Sequence, residues 1–492
     1  MSNPIRGIGI FLLFAVFLNF TGCGLIVINY DKINGVDSTD DPKNSVTDDS
    51  VTNDITDGTM APPPEVTQID YAEIISDNLE DAPDKDYGGA TFKIVTPDPT
   101  IFDPGSGLDF LSEAVSERNR LVGEKHSVSI ITTVVEYDNL FNEVSTSVKA
   151  GMYFSDLLML PQHEIGSFAA SGLLLNLGMM AELDYSGDYL NKSSIEACAG
   201  GTEAYALAGY ASLHPYSLSA VYFNKELCKA GGYDMYSLVR SGEWTWDKFF
   251  EVSSVSASVD GHFSWGTSLG DEVYDAVFFS GGHKMVNSGR LIQPTLGFDA
   301  ESTVWITDVL KKLYADPAAL RSSEEALSKF ADGSGYFLID SLSVMPNLSG
   351  SAAEWGILPL PKSPETDNYT TLSDKNSLMF TCPASVATPD KSAHILMSLN
   401  AASKDSLREA YISFFQYNYL RDNDSANMLE VILESAVYNF PYTYGTFHPD
   451  IANATYELIR ECAMPDVDMG TLINQRKGRM DFVFSSKFSV PN

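Results

Sequence analysis

An α/β protein, with mainly parallel sheets flanked by helices, is predicted from three observations. Strand and helix patterns alternate β-α-β-α-β between residues 91 and 160. That order places parallel strands between crossover helices. Leu157 to Leu160 is a short apolar run bounded by Asp156 and Pro161. Such runs suit central parallel strands, which are buried on both faces. The chain has 492 residues, room for about two to four structural units and an ample core.

The elements follow in order. Thr91–Thr96 reads as a strand ended by Pro97. Leu108, Leu111, Val115 and Val122 then recur at helical spacing. Val128–Val135 is rich in β-branched residues and predicts the second strand. Leu140, Phe141, Val144 and Val148 mark the next helix, which Gly151 closes. In open sheets of this kind ligands sit beyond the carboxyl ends of strands. That directs attention to the loops at 97–107 and 161–164.

Charge excludes one class of partner. The chain carries 31 Lys+Arg against 66 Asp+Glu, a net charge of −35. A surface this acidic repels phosphate backbones, so no nucleic-acid partner is expected. An uncharged or cationic ligand suits it better than a polyanion. The five cysteines are Cys23, Cys198, Cys228, Cys382 and Cys462, with no C-x-x-C among them. Zinc and thioredoxin-type sites are disfavoured, and neither metal nor cofactor is expected. The last four are read as buried small apolar residues.

The amino terminus reads as an address. One positive charge in 1–6 precedes the apolar run Ile8–Phe20, too short for a comfortable span of about 20 residues. Phe20-Thr21-Gly22-Cys23 then resembles the bacterial lipoprotein signal, although Phe20 stands where Leu is usual. The resemblance implies cleavage before Cys23 and lipidation of its sulfur with palmitate-type chains, two of which anchor stably. The alternative is an uncleaved anchor helix running to Ile28. Residues 1–22 would be the signal peptide and 23–87 an acidic disordered tether. Between Asp31 and Asp86 there are 16 acids and 3 lysines with few apolar residues, a solvated composition.

Further along, Ser219-Ala220-Val221-Tyr222-Phe223-Asn224-Lys225-Glu226-Leu227 precedes Glu243-Trp244-Thr245-Trp246-Asp247-Lys248-Phe249. These resemble the Y-N-K-x-L and T-W-(D/E)-x-(L/F) segments of the extracellular solute-binding proteins of ABC importers, in the carbohydrate-binding class related to maltose-binding protein. Gly172–Leu177, Phe330–Ile339 and Trp355–Pro361 resemble further family stretches, in family order. Tyr222, Asn224, Trp244 and Trp246 are read as packing and capping residues rather than ligand contacts.

The resemblance implies a two-lobed clamp of type II with crossing hinge strands. The first lobe would hold 88–212 and 384–438, and the second 213–383 and 439–492. Crossings are expected near 209–219, 380–387 and 437–446. The implied role is capture of a small solute, probably a sugar in keeping with that class, at the outer face of the cell membrane, and delivery to ABC permease subunits without catalysis. The membrane would be met through the lipid anchor alone. Candidate ligand-binding residues are Asp98, Gln162, His163, Trp265, Asp271, Glu272, Tyr274, Asp340 and Asp374. Sugars need aromatic platforms, for which Tyr210, Tyr216 and Tyr369 also qualify, and planar acids or amides for their hydroxyls. No Trp follows the 336–339 strand, where the family usually stacks one.

Two other readings stay open. A peptide or polyamine could replace the sugar. Gly266-Thr267-Ser268-Leu269-Gly270 matches the G-x-S-x-G hydrolase elbow, but no downstream histidine has a recognisable context.

Overall fold

A computed structural model describes residues 69–105, 109–255, 262–321, 323–420 and 422–488. The signal-like segment, Cys23 and most of the acidic stretch lie outside the described residues.

The first sheet grows from the expected alternation. Strands β1 (Ala90–Thr96), β2 (Val128–Val134) and β3 (Leu157–Pro161) are parallel, with β1 in the middle. Helices Asp109–His126 and Tyr137–Lys149 are the crossovers. β3 is buried at all five positions, which explains its unbroken apolar sequence, whereas the edge strand β2 is only half-buried. A late strand, β13 (Leu378–Thr381), joins β3 antiparallel. Helices Pro389–Ser403 and Ser406–Asn418 pack on this lobe against the Asp109–His126 helix.

The second sheet runs β11 (Trp355–Leu358), β6 (Ser219–Asn224), β10 (Gly335–Ser341), β7 (Phe263–Gly266). It corrects the expectation of a mainly parallel sheet here, since only the β7–β10 pairing is parallel. The reason is the path of the chain. β6 carries it out from the first sheet, and the other three strands, its partners β10 and β11 and the outer β7, all run back. β13 does the same for the first lobe. The returning strands of both sheets therefore end toward the region where the lobes meet.

The motif residues of this lobe are core. Trp244 and Trp246 are fully buried, and their indole N–H groups donate to the Pro359 carbonyl (2.9 Å) and Ser280 Oγ (3.0 Å). Phe249 stacks on Phe337 with centroids 4.8 Å apart. Burying each such side chain contributes roughly 1.5–3 kcal/mol. Asn224 caps the helix Lys225–Ala230 by accepting from the Leu227 amide.

Three segments connect the lobes. Leu218 pairs with Ser373, and the short strands β12 (Thr371–Leu372) and β14 (Ala436–Val437) pair in parallel. The expected second crossing at 380–387 is corrected. Phe380 already belongs to β13 in the first sheet, so the passage is made by residues preceding Leu378. The carboxyl-terminal helices are shared rather than confined to the second lobe. Phe440–Tyr444 packs on Gln162–Ala170 of the first lobe, and Tyr456–Cys462 packs on Glu272–Ser280 of the second.

A third sheet, not anticipated from the sequence, joins β4 (Ala199–Gly201) and β5 (Glu203–Ala204) to the hairpin of β8 (Val286–Arg290) and β9 (Ile292–Leu296). The expected tether also ends early. Tyr71–Leu79 is a helix capped by Asp70, with Tyr71, Ile75 and Leu79 buried on one stripe against the first lobe. Three apolar residues at i, i+4 and i+8 suffice to dock a polar helix on an existing surface. Average composition hides such a stripe. Cys198, Cys228, Cys382 and Cys462 are buried free thiols, as expected. Among the described residues no helix is long and apolar enough to cross a membrane.

Candidate functional site

The carboxyl ends of β1, β3, β7 and β10 and the loop between β12 and β13 line one region between the lobes. β1 leads into Asp98. One of its oxygens accepts from the Thr100 amide (2.9 Å) and hydroxyl (2.6 Å), which fixes the loop as an Asx turn. The other lies 3.7 Å from His214 Nε2. Burial of the imidazole, although 22% of the side chain stays exposed, holds its pKa below the ordinary value against the pull of Asp98. His214 is therefore neutral at pH 7, and the contact is not an ion pair. Its ring meets Tyr216 edge-on, and the Tyr216 carbonyl accepts from the Ser341 hydroxyl (2.5 Å). This connects the Asp98 loop to the end of β10.

β3 leads into Gln162 and His163. Gln162 is fully buried, and its amide donates to the Asn439 carbonyl (2.8 Å) and Thr443 Oγ1 (3.0 Å). His163 Nδ1 meets the Lys375 carbonyl at 3.0 Å. Its Nε2 lies 2.9 Å from the Tyr137 hydroxyl, which donates to Glu164 (2.9 Å). Lys375 also ion-pairs with Glu272 at the start of the Glu272–Ser280 helix. The Asp374–Lys375 loop is thus held by one lobe through a carbonyl and by the other through an ammonium.

Asp374 sits between these groups. Its amide donates to the Ser217 carbonyl (2.8 Å), and its carboxylate accepts from the Asn376 amide (2.7 Å). The residue is half-buried. Burial first, then the nearby Glu272 charge, push its pKa up to about 7.

The candidate residues therefore separate. Asp98, His163, Glu272 and Asp374 stand around one region. Asp271, at the N-cap position, is exposed. Asp340 is 1% exposed and both its oxygens accept backbone amides, from Ser268 and Ser341 at 2.8 Å each. It braces two loops and has no oxygen left over. Trp265 is fully buried and Tyr274 nearly so, so neither presents a ring face to the cleft. Tyr369 donates to the Val239 carbonyl (3.1 Å), within its own lobe. His214, Tyr137, Glu164 and Lys375 were not among the candidates. His214-Pro215 sits in the crossing segment, and that place was the available signal. The Ser268 amide is engaged on Asp340, while His283 lies at the opposite end of the Glu272–Ser280 helix against Phe278 (5.2 Å). A triad geometry does not form around this serine from them.

Such an arrangement suits reversible binding. Carboxylates and imidazoles can take hydroxyl or ammonium hydrogen bonds, and several of them are held by backbone rather than by each other.

Known proteins agree with the architecture. A family model described as bacterial extracellular solute-binding protein matches residues 122–417, more than half of the chain. The cyclic α-maltosyl-1,6-maltose binding protein of Arthrobacter globiformis superimposes with a TM-score of 0.54 at 11% identity, covering 81% of this chain and 100% of that one. A family 1 extracellular solute-binding protein of Bifidobacterium longum subsp. infantis gives 0.50 at 13% identity, covering 80% and 99%. No curated protein matches the chain. With the shared fold and the family match across both sheets, this chain belongs to the bacterial extracellular solute-binding proteins.

Proposed function

We propose that the chain is the solute-capture subunit of an ABC importer, tethered to the outer face of the cell membrane through a lipidated Cys23, and that it binds a mono- or oligosaccharide in the cleft without covalent chemistry. The observation that carries this reading is convergence. Returning strands of both sheets end at one region spanned by three crossing segments, so a solute there touches both lobes and favours their closure. The sugar assignment draws on the Arthrobacter protein, whose name states a cyclic maltosyl-maltose ligand, and on the cleft carboxylates. Those same acids, Asp98, Glu272 and Asp374, favour a second reading in which the solute is a polyamine or a peptide amine.

Thermal-shift screening of maltotriose, spermidine and short peptides separates the two readings. A ligand at about 100 times its Kd stabilises by about 2.7 kcal/mol. Stabilisation by maltotriose, weakened in Asp98→Ala and Asp374→Ala, supports the sugar reading. Stabilisation by spermidine alone replaces it. Incorporation of labelled palmitate that persists in Cys23→Ala would refute the anchor.

A further inference from the structure

The hinge has a second side. At the carboxyl end of the Glu272–Ser280 helix, away from Glu272 and the cleft, lies a cavity of about 280 Å³. Its wall takes Ser193 and Ala197 from the short helix Lys192–Ala197, Phe279 and Val286 from the second lobe and its hairpin, and Thr370 and Asn439 from the crossing segments. Asn439 is 1% exposed. Its amide nitrogen lies on the Met285 sulfur (3.3 Å) and its backbone carbonyl accepts from Gln162, yet its Oδ1 has no partner. A buried acceptor left unpaired costs about 1–3 kcal/mol, a cost that a donor in the adjoining cavity offsets once a small side-chain shift uncovers the oxygen.

The walls are tied to different lobes. The β8–β9 hairpin is attached to first-lobe segments. β8 pairs with β4, Ser288 donates to the Glu196 carbonyl (2.7 Å), and Arg290 stacks on Tyr185 at 3.8 Å. Its two roots in the second lobe are glycines. Gly282 has φ +84°, and a Cβ on Gly297 would lie 2.5 Å from the Lys284 carbonyl. The hairpin is thus held to first-lobe segments while the helix before it belongs to the second lobe, and the cavity lies across that joint.

We infer that this cavity is a second binding site, for a small neutral polyol, and that its occupancy is coupled to the cleft. The class follows from the lining. Phe279 and Val286 supply an apolar flank, Ser193, Thr370 and Asn439 supply polar groups, Lys284 is paired with Glu196 (2.6 Å), and Lys192 stands exposed at the rim, where solvent screens its charge. The volume is near the lower end for ligand sites, so the occupant is no larger than about one sugar ring. The site stands on its own geometry, and only the coupling rests on the clamp reading.

Erythritol, followed by saturation-transfer NMR on the whole chain without cleft ligand, tests the site. Binding to the wild type that is lost in Asn439→Leu, with a cooperative melting transition that shows the variant folded, is the expected result, because that change removes the unpartnered acceptor together with the amide contact to Met285. Val286→Phe, which fills the cavity, loses it as well. Absence of binding, or equal binding in both variants, overturns the site. Saturating erythritol should then change the affinity of whichever cleft ligand the thermal screen identifies by at least fivefold. Unchanged affinity overturns the coupling, while a failure of every cleft ligand refutes the clamp reading and leaves the erythritol result standing.

Discussion

The two sheets solve one problem in different ways. Each receives one strand from the hinge and sends the others back. In the first sheet the arriving strand, β13, takes the edge beside β3. In the second, β6 lies inside, between β10 and β11, and all six of its residues are buried. The consequence appears at the strand ends. The first sheet leaves Asp98 and His163 with 24% and 21% of their side chains exposed, whereas Asp340 of the second is enclosed and saturated by amides. The most recognisable sequence of the chain, around Tyr222-Phe223-Asn224, therefore marks packing. The partly exposed groups, Asp98 and His163, lie in less distinctive loops, together with Glu272 and the hinge acid Asp374.

The division is most strongly tested at Trp265. Trp265→Ala should destabilise by about 3–5 kcal/mol in denaturant unfolding, as core truncations do, while Asp98→Asn changes stability by no more than about 0.5 kcal/mol. If Trp265→Ala instead kept stability and lost only solute affinity, the second lobe would be a platform after all.

Asp275 gives a comparable effect by another cause. It is fully buried, paired with Arg460 and bonded by the Tyr442 hydroxyl (2.8 Å). Burial still pushes its pKa up to about 6 despite Arg460. Arg460→Met strands that charge, and calorimetry should show a loss of about 3–5 kcal/mol at pH 8. The loss shrinks toward pH 4, where the acid is protonated.

Ile75→Ala asks whether the helix before the first strand belongs to the folded body. Ile75 has no exposed surface, and its truncation should cost about 2–5 kcal/mol. A silent substitution would return 71–79 to the tether.

The smallest effect is a pH slope. Asp374 has a folded pKa of about 7, above the ordinary carboxylate value of 3.8. The folded state thus holds the proton more tightly. Its contribution is fully present below about pH 4 and is lost as pH rises through 7. Asp374→Asn keeps the acceptor for the Asn376 amide and should flatten that slope, gaining on the order of 1 kcal/mol above pH 7 once solvent at its edge is allowed for. An unchanged slope would place the titration elsewhere.

Much of the first lobe was readable because its burial is periodic. β1, β2, β3 and both crossover helices fall where their apolar spacing puts them. The third sheet was not, for a physical reason. Ala199-Gly200-Gly201 and Val286-Asn287-Ser288-Gly289-Arg290 have neither alternation nor bulk, and they become strands by pairing with each other across the chain. The site was half readable. Asp98 and His163 lie in loops that the rule about strand ends singles out, while Glu272 and Asp374 were implied by the family resemblance. Trp265 and Tyr274 misled because an aromatic residue near a strand end looks the same in sequence whether it faces core or cleft. Lys375 and His214 depend on contacts more than 100 residues apart, which no local pattern encodes.

The central claim is closure, and distance across the cleft tests it most directly. Spin labels at Glu136→Cys and Ser343→Cys, both exposed and following β2 and β10, report on opposite rims by pulsed electron resonance. Adding the solute that raises the melting temperature should shorten and narrow the distance distribution. A distribution that stays the same while that solute is demonstrably bound would contradict the account.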